Sequence, residues 1–419
     1  MSYKVIVAHP GKQHSFYLAS SLKEEDILFK YITTVYDKDK SILMNTLKKF
    51  LKKDNLTRAS SRKNPDLDDN DVIQYNQLSG LVEIILSRQK NNRLYNWWRQ
   101  KNADSFGKKV AKYAIKNNVD AVICYDTNSN TTFDILKKQA PHIKRILDVS
   151  AANRMYMKKV YEKDIATIPE EFSNKLKEES FYLWQETSIQ LLEKEIEQTQ
   201  YFISPSKFVK DTLIYSGVSE ESIGICPYGA SFGDKSYSRD KRNGNQAIRA
   251  IYVGNVTEIK GIYYLLEAVM KIPKELLELT IVGAYDNSDG IFNSYMDRVK
   301  FTGRLLHSEV EKMLYESDIF VFPSLGDGFS LAVLEALSCG LPSIVTCNTG
   351  AADAIIEGEN GFVVPIQDSE VLYNKLMYFV NHKEVISRMS QLAQETSKEY
   401  SWEKYKNIII NQLTTWLSK

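Results

Sequence analysis

The stretch from Val321 to Gly350 constrains the fold of this chain more than any other, because it combines a strand, a tight loop and a helix in direct succession. Residues 319–323 are apolar and of strand length, and glycines at positions 326 and 328 follow them in a loop. From Leu331 onwards, apolar residues recur at helical spacing. A helix that begins after such a loop directs free backbone N–H groups and a partial positive charge towards it. The stretch therefore predicts a βα unit with a phosphate site at the start of its helix.

Two acidic residues flank this predicted phosphate site. Asp327 lies in the loop, and Glu335 follows eight positions later, one turn inside the helix. A carboxylate on the helix can accept hydrogen bonds from the hydroxyl pair of a ribose, and an acid in the loop can contact the other end of the ligand. A nucleotide sugar fits this arrangement.

Length and composition predict an ordinary globular protein of two domains. The chain has 419 residues, of which 43% are hydrophobic and 26% charged. Its first residues lead directly into an apolar strand without the pattern of a signal peptide, and no apolar run reaches transmembrane length. Four scattered cysteines lack the spacing of metal ligands. We therefore expect a cytoplasmic protein with reduced thiols and no bound metal.

Charge is distributed unevenly although the net charge is only +1. Residues 1–149 carry 26 Lys and Arg against 16 Asp and Glu, a balance of +10 that leaves −9 for the rest. Such asymmetry indicates either an anionic partner of the first half or a solvated basic face.

Strand and helix patterns alternate along the whole chain, which predicts parallel sheets covered on both faces. A first series runs from residue 3 to about residue 204, and a second begins at Ala247. Polar residues from Ser231 to Asn245 separate the two series and are the best candidate for a linker.

The opening stretch resembles the donor motif of the family-4 retaining glycosyltransferases, in which an acid, seven residues and a Glu lie within PS…EGF-L…LEA-CG-P. The positions that match are Pro323, Ser324, Gly328, Phe329, Leu331, Leu334, Glu335, Ala336, Cys339, Gly340 and Pro342. Two positions differ: Asp327 replaces the usual Glu, and Ser330 replaces a frequent Gly.

Further stretches resemble the same family in the same order along the chain. They are residues 204–230, 250–269, 281–285 with 301–324, and 358–368 with the SWEKY segment at 401–405. The resemblance implies an α/β fold of the GT-B type, in which two Rossmann-like, doubly wound parallel-sheet domains face each other across a cleft. It also implies an acceptor-side domain at residues 1–228, a nucleotide-sugar domain at 229–397, and a last helix at 398–419 that packs back on the first domain.

The resemblance assigns roles to residues of the second domain. Lys260 matches the phosphate lysine of the family, and Asp327 matches its acid on the sugar side. Cations and aligned N–H groups can stabilise a diphosphate leaving group without a metal. The family commonly has an Arg after the glycine that corresponds to Gly254, whereas this chain has Asn255; Arg304 either replaces that cation or is an ordinary arginine at a strand end. The expected donor contacts are Gly254, Asn255, Lys260, Arg304, Gly328, Phe329, Ser330, Leu331 and Glu335.

On the first domain, HPGKQHS follows the first strand, where the family has a glycine-containing loop that faces the cleft. Gly11 permits close approach of the backbone, and Lys12, Gln13 and His14 offer donors. His14 is either a contact of the sugar or acceptor, and hence a catalytic candidate, or a helix-capping histidine. Many family members have a His soon after the strand that ends here at Asp148. This chain has Asp148, Val149 and Ser150 there instead, so Asp148 is a second candidate.

Basic and aromatic residues alternate between 87 and 102, including Arg93, Trp97, Trp98 and Arg99. This composition suits an anionic membrane surface, and LKKFLKK at 47–53 would extend the same face. The alternative is a Trp pair packed in the core beneath solvated arginines.

The main hypothesis from the sequence is a retaining, metal-independent glycosyltransferase without a cofactor, cytoplasmic or peripheral on the inner face of the membrane. It would transfer a hexose-type sugar from a nucleotide diphosphate sugar to a glycan or lipid-linked glycan in bacterial-type polysaccharide synthesis, and no nucleic acid is expected as a partner. The alternatives are a catalytically inactive glycan-binding or chaperone-like protein of the same fold and, less favoured, a nucleotide-sugar epimerase.

Overall fold

A computed structural model describes residues 3–12, 14–38, 62–87, 92–180, 186–230, 246–288 and 290–419, with only the backbone for residues 92, 93, 186 and 187. The candidate linker at 231–245, the basic segment at 47–53 and Gln13 lie outside these ranges.

The first sheet consists of seven parallel strands in the order β3-β2-β1-β4-β5-β6-β7. Central strands β1 and β4 are buried at every residue, as expected for a sheet that helices cover on both faces. The strands are β1 (Val5–Ala8), β2 (Leu28–Thr33), β3 (Val72–Gln74), β4 (Ala121–Tyr125), β5 (Lys144–Asp148), β6 (Tyr201–Ser204) and β7 (Ile223–Ile225).

Eight described α-helices accompany the first sheet. They are α1 (Ser15–Glu24), α2 (Gln77–Leu86), α3 (Asn92–Asn117), α4 (Asn130–Gln139), α5 (Arg154–Ile165), α6 (Glu170–Ser180), α7 (Glu186–Gln198) and α8 (Lys207–Tyr215). The sequence pattern had not indicated β3 or α2, because β3 has three residues and α2 is apolar on most sides without strong helical periodicity.

The second sheet has six parallel strands in the order β10-β9-β8-β11-β12-β13, the order typical of a doubly wound fold. Its strands are β8 (Ile248–Val253), β9 (Leu277–Val282), β10 (Val299–Gly303), β11 (Ile319–Phe322), β12 (Ser343–Thr346) and β13 (Gly361–Val364). Its helices are α9 (Ile262–Met270), α10 (His307–Glu316), α11 (Leu331–Ser338), α12 (Ser369–Asn381) and α13 (Val385–Ser397). The predicted pair of doubly wound parallel sheets is thus confirmed.

Helices from each half of the chain also contact the other half. The last helix, α14 (Trp402–Leu417), lies against the first domain, where Trp402 stacks on Tyr17 with ring centroids 3.5 Å apart. In the opposite direction, α5 and α6 lie between β5 and β6 in the chain but contact the second domain. Gln367 Nε2 donates to Val160 O of α5 over 2.9 Å, and the Glu258 N–H donates to Glu179 of α6 over 3.1 Å. The division at residues 228 and 397 stays a prediction.

Candidate functional site

Ligands of doubly wound sheets bind beyond the carboxyl ends of the two central strands from which the strand order diverges. These strands are β1 and β4 in the first sheet and β8 and β11 in the second. The loop after β11 touches the segment after β5: a Cβ atom added to Gly328 would lie 1.9 Å from Ser150 O. The candidate site therefore lies where the loops of the two sheets meet.

Lys260 and Asp327 form an ion pair in this site. Lys260 Nζ donates to Asp327 Oδ2, and the two side chains are 23% and 18% exposed. The other carboxylate oxygen, Asp327 Oδ1, accepts the Phe329 N–H over 3.1 Å and so holds the loop at the start of α11. The structure brings together the two residues that the sequence predicted to contact phosphate and sugar, and in this state each neutralises the other.

The turn that carries Lys260 packs tightly against the loop after β11. Gly261 has φ +70°, and a Cβ atom there would lie 1.9 Å from Pro323 O, so only glycine fits. Ile259 O accepts the Leu325 N–H over 3.0 Å. Because the turn is fixed to the loop in this way, the position of Lys260 depends on the position of the Asp327 loop.

Ser330, at the start of α11, has φ +57°. A residue with a Cβ atom in this left-handed region costs roughly 1–2 kcal/mol relative to glycine, which gives a physical reason for the frequent Gly at this position of the motif. Phe329 is buried, whereas Leu331 is exposed.

Glu335 lies one turn inside α11, as the sequence predicted. Burial raises the pKa of its carboxyl group, an effect that His307 opposes and Glu311 reinforces.

Asn255 and Arg304 are both exposed. Arg304 follows the edge strand β10, which β9 separates from β8. Within the described part of the chain, neither side chain forms a hydrogen bond or ion pair with Lys260 or Asp327. Their contact with the donor stays a prediction.

On the first domain, His14 and Asp148 are in contact. His14 Nε2 lies 3.0 Å from Asp148 Oδ2 and 3.1 Å from the hydroxyl of Tyr228. Asp148 is fully buried, and the Tyr228 ring packs edge-on against Phe329 at 5.3 Å between centroids. A histidine from the loop after β1 therefore lies beside the carboxyl end of β5.

The sequence analysis overlooked a cavity between the domains, of about 180 Å³, whose lining is mostly apolar but includes three charged residues. Among the residues that line it are Asp126, Asn153, Arg154, Glu195, Gly326 and Gly328. Asp126 directly follows the central strand β4, and this position in the sequence could have marked Asp126 as a candidate site residue.

Two carboxyl groups of this cavity have raised pKa values. Burial raises the pKa of Glu195 to about 7, although the backbone N–H groups of Thr127 and Ser129 donate to its carboxylate. Burial also raises the pKa of Asp126; the hydrogen bond from Ser150 opposes this effect and the nearby Asp148 reinforces it.

The loop after β4 is strained. Thr127 has φ +70°, which is rare for a β-branched residue. Its N–H donates to Glu195 Oε2 over 2.8 Å, and its hydroxyl accepts from Arg99 over 2.6 Å. A strained conformation that two charged side chains hold in place is typical of functional sites.

Neither a metal centre nor a membrane-spanning helix is found among the described residues. In these residues, no group of three or more His, Cys, Asp or Glu side chains is placed to hold a metal ion. None of the described helices has the length and apolarity needed to cross a bilayer.

Several known proteins resemble this chain. Residues 247–382 match the family described as Glycosyl transferases group 1. An uncharacterized glycosyltransferase of Methanocaldococcus jannaschii is 24% identical over 213 residues, which are 48% of this chain and 56% of that protein. The capsular polysaccharide biosynthesis glycosyltransferase CapM of Staphylococcus aureus is 26% identical over 230 residues, 49% of this chain and 60% of that protein. The matches thus span less than two thirds of either relative.

Among solved structures, HepE of Anabaena in complex with UDP-glucose superposes with a TM-score of 0.58 at 14% identity, and the match covers 98% of this chain and 99% of that one. At this identity the likeness shows the fold alone. The chain therefore has the GT-B fold, and its resemblance to the group 1 glycosyltransferases is confirmed.

Proposed function

We propose that this protein is a retaining glycosyltransferase that uses a nucleotide diphosphate sugar and needs no metal ion. The observation that carries the proposal is the contact between Lys260 and Asp327 beside the start of α11, at the central strands of the second sheet and opposite His14 and Asp148. A cation, an acid and free N–H groups at one point suit a diphosphate joined to a sugar.

Lys260 and the N–H groups at the start of α11 would stabilise the negative charge that develops on the departing diphosphate. The lysine must first exchange Asp327 for phosphate, because its charge is neutralised in the described state. That exchange releases Asp327 to accept a hydrogen bond from the sugar. Glu335 would accept hydrogen bonds from the ribose.

The acceptor would bind on the first domain, near His14, which pairs with the buried Asp148, and near Asp126, which lines a cavity together with Gly326 and Gly328 of the donor loop. Gly11, in the same loop as His14, donates its N–H to His9 Nδ1 over 2.7 Å, which fixes the backbone there. We propose a glycan or lipid-linked glycan as the acceptor, because the relatives include a glycosyltransferase of capsular polysaccharide synthesis.

We also propose that the first domain binds an anionic membrane surface. Trp97 and Leu94 of α3 and Leu78 of α2 are 56%, 44% and 68% exposed, and the two helices that carry them pack against each other. Trp98 and Arg99 are not part of this surface, since Trp98 Nε1 donates to Ser79 O and Arg99 to Thr127. The side chain of Arg93 lies outside the described residues.

The direct test incubates the protein with UDP-, GDP- and ADP-sugars and measures release of the nucleoside diphosphate, with Lys260→Ala as the comparison. A charged hydrogen bond contributes about 1.5–3 kcal/mol, so Lys260→Ala should weaken diphosphate binding by that amount and slow release further. Unchanged affinity and rate would place the lysine outside the site. Binding without release in the wild type would favour the non-catalytic alternative.

A further inference from the structure

Glu179, at the end of α6, reaches across from the first domain to the turn that carries Lys260. Its Oε1 accepts the Glu258 N–H over 3.1 Å and its Oε2 accepts the Ile259 N–H over 3.0 Å. These two residues directly precede Lys260. N–H groups in a first turn have no partner within their own helix, so an external carboxylate is their natural acceptor.

The same turn is held from its other side by the donor loop. Ile259 accepts the Leu325 N–H through its carbonyl while it donates to Glu179 through its own N–H. A single peptide segment is thereby fixed between a carboxylate of the first domain and the loop that carries Asp327. The side chain of Lys260 leaves the backbone at the next position.

The contact belongs to a broad packing of α5 and α6 on the second domain. Phe172 packs on Tyr263 with ring centroids 5.0 Å apart, Lys175 Nζ donates to Asp286 O over 3.2 Å, and Asp164 pairs with the Tyr264 hydroxyl. These contacts fix the position of α6 on the second domain, and they thereby fix the position of the Glu179 carboxylate relative to the turn.

We infer that Glu179 is a positioning residue of the first domain that sets the turn carrying Lys260, an inference that rests on the proposed function of Lys260 as the phosphate contact. The alternative is competition, in which the carboxylate occupies N–H groups that a donor phosphate would otherwise use. The two differ in sign: loss of a positioning carboxylate weakens nucleotide binding, and loss of a competitor strengthens it.

The test compares Glu179→Gln with Glu178→Gln, a matched charge change at the preceding, exposed residue of the same helix. Glutamine keeps one acceptor oxygen and places an NH₂ group against the other N–H, so at most one of the two bonds survives. We expect the affinity for UDP, GDP or ADP, measured by calorimetry, to fall about tenfold in Glu179→Gln and to stay unchanged in the control.

A double-mutant cycle with Lys260→Ala separates positioning from a general loss of stability. If Glu179 acts through Lys260, Glu179→Gln should have less than about a twofold further effect in the Lys260→Ala background. Equal effects in both backgrounds, or tighter binding by Glu179→Gln, would overturn the inference.

Hydrogen exchange of residues 256–261 gives a readout that does not depend on nucleotide binding. Exchange should be faster in Glu179→Gln than in Glu178→Gln, and equal rates would overturn the inference whatever the ligand. A wild-type protein that binds none of the three nucleotides would instead refute the proposed function, and exchange would then decide alone whether Glu179 holds the turn.

Discussion

Asp327→Asn separates the two roles that the site gives to this residue. The amide oxygen of Asn can still accept the Phe329 N–H, which lies 3.1 Å from Asp327 Oδ1, so the loop keeps its shape. The change removes the negative charge that pairs with Lys260. Nucleotide affinity and turnover should therefore change in opposite directions.

The size of the expected change in affinity follows from the burial of the ion pair. Lys260 and Asp327 are 23% and 18% exposed, which places their interaction near the upper end of the 0–1 kcal/mol typical of accessible ion pairs. A phosphate no longer has to displace the carboxylate in the mutant, so diphosphate affinity should rise by up to about fivefold. Turnover should fall by about 100-fold, the scale of one lost transition-state contact.

Calorimetry with UDP, GDP and ADP measures the first effect, and diphosphate release from the sugar donor measures the second. Asp318→Asn is a matched control, because Asp318 pairs with Arg249 at a similar exposure of 18% and 24% but at the opposite end of β11. A loss of affinity as large as in Lys260→Ala would refute the assignment of Asp327 to the sugar side. Full turnover in Asp327→Asn would refute its part in the reaction.

Further changes test other parts of the site. Glu335→Gln should weaken free nucleotide and donor alike by about 1.5–3 kcal/mol in calorimetry, since the ribose contact is common to both. Ser330→Gly should raise the free energy of unfolding by about 1 kcal/mol in denaturant titration, because glycine adopts φ +57° without the steric clash of a Cβ atom. Replacing Leu78, Leu94 and Trp97 with Ser should abolish salt-sensitive sedimentation with anionic liposomes, whereas Leu306→Ser, at a site 71% exposed on the second domain, should not. Burial raises the pKa of Glu195 from 4.5 to about 7, so the folded state retains a proton that the unfolded state releases. The stability that protonated Glu195 contributes should therefore be lost as pH rises from about 4.5 through 7, up to about 3 kcal/mol, and the melting temperature of the wild type should fall over this range relative to that of Glu195→Gln.

Much of the fold could be predicted from local pattern. Fully buried strands such as β4 and β11 have uninterrupted apolar runs, and a glycine-bearing loop follows β11. The short strand β3 could not be predicted, because three residues are too few to show the alternation of apolar and polar residues that indicates a strand. Helix α2 was missed for the opposite reason: apolar residues occupy most of its sides, and several of them face solvent.

The candidate site could be predicted only where one motif contains it. Asp327 and Glu335 belong to one recognisable βα unit, and Lys260 was singled out by its place in a motif of the family that the chain resembles. The contact of His14 with Asp148 joins residues 134 positions apart, and its geometry depends on the packing of β1, β4 and β5 in one sheet. Sequence spacing carries no information about such a contact.

The glycines of the donor loop show how one motif can serve two physical requirements. The resemblance places Gly328 among the expected contacts of the donor. In the structure its missing side chain faces the first domain: a Cβ atom would lie 1.9 Å from Ser150 O, and one on Gly326 would lie 2.3 Å from the Met157 side chain. Ser150 O is backbone and cannot give way, whereas the end of a methionine can. Gly328 is therefore required for the two domains to meet at the site, independently of any requirement from the nucleotide, and its replacement would separate His14 and Asp148 from Lys260 and Asp327.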